Sequence, residues 1–119
     1  MTKNKLNTER EKFSHYIIEI FDFKDIFNKD VTNKALELIK KLNLKVVKSA
    51  THNYVPHGAT TMFILSSSHL IIHTWPEYDY AHIDLFSCSN AKTEEEIHTI
   101  IQESFKHANA KIKKMNYDK

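Results

Sequence analysis

GATTMFILSSSHLIIHTWPEYDYAHIDLFSC, residues 58–88, reads as three successive strands. Residues 60–66 and 70–75 are short apolar runs rich in β-branched and aromatic types, and Pro76 stops the second. Glu77, Tyr78 and Asp79 make a turn, where aspartate tolerates the left-handed conformation better than most residues. Residues 80–88 then alternate polar and apolar, the period of a strand with one buried face.

Working outward from this block gives the rest of the fold. Upstream, residues 44–54 read as a further strand, ending near Pro56 and Gly58. Before it, residues 30–42 carry Val31, Ala35, Leu38, Ile39 and Leu42 at the spacing of one apolar helical face, with Asp30 as the expected N-cap. SHYIIEIFDF, residues 14–23, reads as a strand. Downstream, Thr93 followed by Glu96 is a capping box, and Ile97, Ile100, Ile101 and Phe105 form the buried stripe of the helix it opens. Residues 110–116 read as a last edge strand, and the polar residues 1–12 as a flexible arm preceding a single domain, residues 13–119. The expected class is α+β: a two-layer sandwich of a mainly antiparallel sheet with helices on one face. Its other face is expected to pack on a second copy, giving a sheet-to-sheet homodimer.

Composition narrows the function. Basic and acidic residues nearly balance, 17 against 15, so neither a nucleic-acid nor a membrane partner is expected. The single cysteine, Cys88, excludes an internal disulfide and suits a reducing compartment. The polar N-terminus lacks the apolar core of a signal peptide, and no apolar run approaches the ~18 residues of a membrane span. The expectation is a cytoplasmic protein. Gly58 is the only glycine, which removes glycine-rich phosphate loops and dinucleotide fingerprints from consideration.

Three groups with nucleophile or proton-transfer chemistry sit among the apolar strands: Ser66-Ser67-Ser68, His73 and Cys88. Spacing alone leaves each open. The serines either turn a hairpin or offer a hydroxyl, His73 is either a half-buried strand residue or a base, and Cys88 is either a small buried hydrophobe or a reactive thiol. His69 and His73 have the spacing of a zinc pair on a helix, but on a strand they lie ~13 Å apart, so no metal is expected.

Taken together, SSHLIIHTWPEY (residues 67–78), followed by HIDLFSC (residues 82–88), resembles the signature of the small bacterial and archaeal S-adenosylmethionine decarboxylases. In that family a Ser-His-Leu-x-Ile-His-Thr-Trp-Pro-Glu run precedes an Asp-x-Phe-x-Cys strand. Tyr54-x-Pro56-x-Gly58 fits as well, and the resemblance covers roughly residues 13–117. It implies a pyruvoyl-dependent, self-processing enzyme that supplies aminopropyl groups for spermidine synthesis. Ser68 would attack the carbonyl of Ser67, the chain would cleave between them, and Ser68 would become the pyruvoyl cofactor, with no metal. The resulting ketone condenses with the α-amine of S-adenosylmethionine and serves as an electron sink for loss of carbon dioxide.

The resemblance also implies roles residue by residue. His73 would take the proton during elimination, and Thr60, in place of the usual serine, would assist maturation. Cys88 would return a proton to the decarboxylated carbon. Glu77 would bind ribose hydroxyls, and Tyr54 would stack on adenine and the sulfonium region. Thr60 and Ser68 are eight residues apart, ~26 Å along a straight strand. The family builds each site across a homodimer, which would take Ser68 and Cys88 from one protomer and Thr60, His73 and Glu77 from the other. The chain departs from the family at Ser67, where glutamate is usual. That departure keeps two further readings in view: the same fold decarboxylating arginine or ornithine, and an unprocessed, non-catalytic homologue.

Overall fold

Alternation decides which side of each strand is buried, and the buried side is continuous across the sheet. The computed structural model describes residues 3–24, 30–88 and 92–117. Its elements are α1 (Lys3–Arg10), β1 (Ser14–Phe21), α2 (Asp30–Lys41), β2 (Val46–Asn53), β3 (Ala59–Leu65), β4 (Ser68–Trp75), β5 (Tyr80–Ser87), α3 (Glu94–Ser104) and β6 (Asn109–Met115). The six strands form one sheet in the order β2-β3-β4-β5-β1-β6. Every neighbouring pair is antiparallel.

Tyr16, Ile18 and Ile20 of β1, Phe63 and Leu65 of β3, Leu70 and Ile72 of β4, and Ala81, Ile83 and Leu85 of β5 all point to one face and are buried. Ala35, Leu38, Ile39 and Leu42 from α2 and Ile97, Ile100, Ile101 and Phe105 from α3 close over them as a single core. The expected α+β arrangement is therefore present, with α2 and α3 covering that face. On the opposite face Met62 and Ile64 stay 43% and 46% exposed, among Ile17, Ile71, Phe86 and several histidines.

Local chemistry sets the element ends. Thr93 Oγ1 accepts from the Glu96 N–H at 3.1 Å, and the Thr93 N–H donates to Glu96 Oε1 at 3.3 Å, so the capping box opens α3 as expected. Asn43 takes a left-handed φ of 58° and closes α2, letting the Leu44 N–H reach back to the Ile39 carbonyl at 3.1 Å. Asp22, also left-handed, ends β1 two residues earlier than the sequence suggests. A 3-10 turn over Pro76–Tyr78 joins β4 to β5, and Asp79 follows it with φ 50°. The side chains of Asp30 and Val31, expected as N-cap and first apolar contact of α2, lie outside the described residues.

Two arrangements add to the sequence expectation. The first 12 residues contain α1, a polar helix whose one large apolar side chain, Leu6, is 45% exposed. β1, whose place in the sheet the sequence reading left open, lies between β5 and β6, with Ile18 opposite both Ile83 and Ile112.

Candidate active site

The residues singled out in the sequence fall into two clusters at opposite ends of β3, β4 and β5. The first lies at the β3–β4 hairpin. Ser66 and Ser67 are its two loop residues, and β4 begins at Ser68. The serine run therefore turns the hairpin, and its third member, Ser68, is the first residue of a strand. The Ser66 N–H donates to the Lys45 carbonyl at 3.1 Å, and the Cys88 N–H donates to the Ser67 carbonyl at 3.3 Å. Ser68 pairs with Ser87, and Ser87 with Ser14, so three serines cross the sheet in a row on the helix-covered side. Ser68 Oγ is buried and has no hydrogen-bond partner. An orphaned buried hydroxyl costs about 1–3 kcal/mol, and Ser104 Oγ is left in the same state elsewhere in the fold. Cys88, half-buried, follows directly on Ser87.

The second cluster lies where β3 starts and β4 ends. Thr60 and His73 are cross-strand partners, and Thr60 Oγ1 shares a hydrogen bond with His73 Nδ1 at 2.7 Å. The Tyr54 hydroxyl shares one with Thr60 Oγ1 at 3.0 Å. Tyr54 comes from the loop between β2 and β3, tied by its backbone N–H to the Gly58 carbonyl at 2.8 Å. Gly58 has φ +97°, and a Cβ there would sit 2.9 Å from the Thr74 carbonyl oxygen, so the tight return of this loop requires glycine. Thr74 Oγ1 braces the start of β3, accepting from the Ala59 N–H at 3.0 Å. His57, in the same loop, pairs through Nε2 with Glu77 Oε2 at 3.0 Å. Tyr54, His57, Thr60, His73, Trp75 and Glu77 together line a concavity of about 340 Å³, the size of a small-molecule site.

Electrostatics favour a neutral His73. Burial pushes its imidazole below the ordinary 6.5, the neighbouring His82 adds to the fall, and Asp84 opposes it. The rings of His73 and His82 lie 6.0 Å apart. Nδ1 is engaged by Thr60, which leaves Nε2 as the nitrogen available to a reacting group. Trp75 leans on both His73 and Tyr80. Tyr80 is in turn anchored by donating to Glu19 Oε2 at 2.7 Å, and burial together with that bond pushes its phenol up to about 12.

Within one chain the two clusters do not meet. His73 is five residues from Ser68 along β4, or ~17 Å. The ~26 Å expected between Thr60 and Ser68 assumed a straight strand; the Ser66–Ser67 hairpin folds β3 back on β4, so Thr60 lies level with His73 instead. The shorter separation still exceeds the ~3 Å reach of a proton transfer. Sequence reasoning missed His57 and His82. The first was legible only as a neighbour of Pro56 and Gly58, the second only through its register opposite His73. Among the described residues no group of three or more His, Cys, Asp or Glu side chains is disposed to hold a metal ion.

A family model described as S-adenosylmethionine decarboxylase matches residues 14–117. The chain belongs to the S-adenosylmethionine decarboxylase family. That match takes in both clusters and every strand and helix from β1 onward. The chain is 37% identical over 75 residues to the S-adenosylmethionine decarboxylase proenzyme of Acidithiobacillus ferrooxidans. It is 38% identical over 77 residues to that of Pseudomonas paraeruginosa and 39% identical over 79 residues to that of Thermosipho melanesiensis. These matches cover 63%, 62% and 64% of this chain. They span 56%, 48% and 61% of the relatives' own lengths. The fold is similar to the crystal structure of the adenosylmethionine decarboxylase from Aquifex aeolicus VF5, with a TM-score of 0.67 and 23% identity, covering 91% of this chain and 94% of that one.

Proposed function

We propose that this chain is a proenzyme that cleaves itself between Ser67 and Ser68 and then decarboxylates S-adenosylmethionine, supplying aminopropyl groups for spermidine synthesis. The observation that carries the reading is at the hairpin. Ser68 Oγ is buried and unpartnered, and the adjacent Ser67 carbonyl accepts a hydrogen bond from the Cys88 N–H at 3.3 Å. These are the two groups an intramolecular acyl shift needs. Oγ attacks the Ser67 carbonyl carbon, negative charge develops on the carbonyl oxygen, and a fixed N–H stabilises it. The C–N bond then breaks to leave an ester on Ser68. A base removes the Ser68 Cα proton, the Ser67 carboxylate leaves, and the dehydroalanine that remains would tautomerise to an imine that water hydrolyses to the ketone, releasing ammonia.

His73 suits that base. It is held neutral by burial, and its Nε2 is unencumbered. At ~17 Å it cannot serve the Ser68 of its own chain, so the reading includes a homodimer in which His73 and Thr60 of one protomer serve Ser68 of the other. The exposed apolar face with Met62 and Ile64 also carries Thr60 and His73 and supports a second copy packing there, and Ser68, at the very start of β4, would turn its hydroxyl from the helix-covered side toward that copy.

The residues at the hairpin fit the formation of a pyruvoyl group at Ser68, which would supply a ketone to condense with the substrate amine and accept the electrons left by carbon dioxide. No metal is invoked. Around it, Cys88 would hold the proton destined for the product carbon. Glu77, positioned by His57, would accept from ribose hydroxyls, and the Tyr54 ring would face the adenine and sulfonium. The exposed, half-aromatic concavity supports a nucleoside ligand better than a bare amino acid such as arginine or ornithine. Among the described residues no helix is long and apolar enough to cross a membrane, and the cytoplasm is the setting proposed. The test is intact mass under denaturing conditions. The purified protein should resolve into residues 1–67 and 68–119, the latter carrying a ketone, while Ser68→Ala stays whole. A wild-type chain that remains a single species after prolonged incubation would make it a non-catalytic homologue.

A further inference from the structure

The hydrogen bonds around His73 extend one residue beyond its Thr60 partner. We propose that the Tyr54 hydroxyl is a positioning group that determines which ring nitrogen of His73 carries the proton. The inference rests on the reading of His73 as the maturation base and adds a residue whose hydroxyl a stacking role leaves unused.

Neutral imidazole has one proton and two nitrogens. Nδ1 lies 2.7 Å from Thr60 Oγ1, so this contact is a hydrogen bond in one of two directions. If Thr60 donates, Nδ1 is the acceptor, the ring proton sits on Nε2, and the outward nitrogen cannot take a proton. If Nδ1–H donates, Nε2 keeps its lone pair and His73 is a base. The single hydrogen of the Thr60 hydroxyl decides between them, because it can go to only one acceptor. The Tyr54 hydroxyl oxygen, 3.0 Å from Thr60 Oγ1, is a second acceptor for it. With Tyr54 accepting from Thr60, Thr60 accepts from Nδ1–H and the chain of bonds runs outward from the ring. The phenol's own hydrogen then goes to water, which it can reach because Tyr54 is 49% exposed. The same direction suits the imidazolium formed once Nε2 has taken its proton, since both its nitrogens are donors.

The placement of Tyr54 is not accidental to its loop. Its backbone N–H is bonded to the Gly58 carbonyl, and its ring packs edge-on against His52 with centroids 4.8 Å apart. The other groups around His73 do not compete for Nδ1. Trp75 and His82 meet its ring at about 6.0 Å, and Asp84 acts on it through charge.

The test reads the tautomer directly. Histidine labelled with nitrogen-15 in the Ser68→Ala chain gives long-range proton–nitrogen correlations that distinguish Nδ1–H from Nε2–H. His73→Gln in the same background assigns its signals among the eight histidines. Above the titration range of the ring, His73 should be protonated at Nδ1. Tyr54→Phe, which keeps the aromatic ring and removes only the hydroxyl, should shift the tautomer ratio toward Nε2–H by about 3- to 10-fold, the worth of one net hydrogen bond. In the cleavable chain the same substitution should slow self-cleavage by a similar factor without changing the products. An Nε2–H ring in the parent, or an Nδ1–H ring that persists unchanged in Tyr54→Phe, would overturn the proposal. Because the labelled chain is never cleaved, this result is independent of whether the wild type matures. A tautomer that shifts as expected in a protein that never self-cleaves removes the enzyme reading and leaves the positioning role of Tyr54 intact.

Discussion

Complementation between two inactive chains tests the shared site most directly. Ser68→Ala removes the hydroxyl proposed to attack, and His73→Ala removes the proposed base five residues away on β4. Along one strand these positions are ~17 Å apart, while proton abstraction needs heavy atoms within ~3 Å. Bending β4 cannot close that gap, because it is paired on both sides, to β3 over His69–Thr74 and to β5 over Ser68–Trp75. If each site takes Ser68 from one protomer and His73 from the other, a heterodimer of the two variants has one site with neither lesion and one with both. The intact site uses the Ser68 of the His73→Ala chain. That chain alone should therefore be cut, and it can be identified by a mass tag. Random exchange of equal amounts makes about half the dimers mixed, so once exchange is stopped about half of the His73→Ala chain should be cleaved, and more if exchange continues. Each variant alone should stay whole. If subunit exchange is confirmed by the tags and wild type cleaves, but neither chain is cut in the mixture, the ~17 Å argument is wrong and the site is built within one protomer.

Three further outcomes follow from the geometry. Cys88→Ala keeps the backbone N–H that bonds the Ser67 carbonyl, so self-cleavage should proceed, whereas carbon dioxide release should fall by ~10²-fold or more with loss of the acid; unchanged turnover in a radiometric assay would remove Cys88 from catalysis. Self-cleavage should be flat around neutral pH and decline with acidification only once pH falls through the lowered pKa of His73, below 6.5, because the neutral ring is the active form. His82→Gln, which removes a like charge, should move that decline to higher pH in rate profiles measured by gel. Gly58→Ala forces a side chain onto φ +97° and against the Thr74 carbonyl, and should destabilise the protein by about 1–3 kcal/mol in thermal melts; a neutral substitution would mean the loop carrying Tyr54 and His57 is not held as described.

Much of this was legible where structure is local. Alternation in residues 80–88 gives the buried face of β5 directly, and the Thr93–Glu96 box and Asp79 mark a helix start and a turn because their chemistry acts within four residues. The position of β1 was not legible. Alternation tells which face of a strand is buried but not which strand it pairs with, and β1 joins β5 and β6 across most of the chain. The same limit applies to the site. Thr60 and His73 were found singly, through resemblance, but their direct contact depends on the β3–β4 register, which the two-residue serine turn sets. His57 and His82 have no motif of their own and become visible only opposite Glu77 and His73.

The departure at Ser67 can be weighed on the same footing. The proposed acyl shift draws on three groups: Ser68 Oγ, the Ser67 carbonyl and the Cys88 N–H. None belongs to the side chain of residue 67, which is exposed at the hairpin tip. A glutamate there would carry a solvent-screened charge, and exposed charges interact by only about 0–1 kcal/mol, less than a tenfold effect on a rate. The carbonyl, by contrast, is held by a backbone bond that any residue at 67 preserves. On the proposed mechanism the loss of the carboxylate therefore weighs little on bond cleavage itself. On the same proposal its larger consequence would fall on what approaches the hairpin from a second protomer, where a missing negative charge would change how a cationic sulfonium and its amine are received.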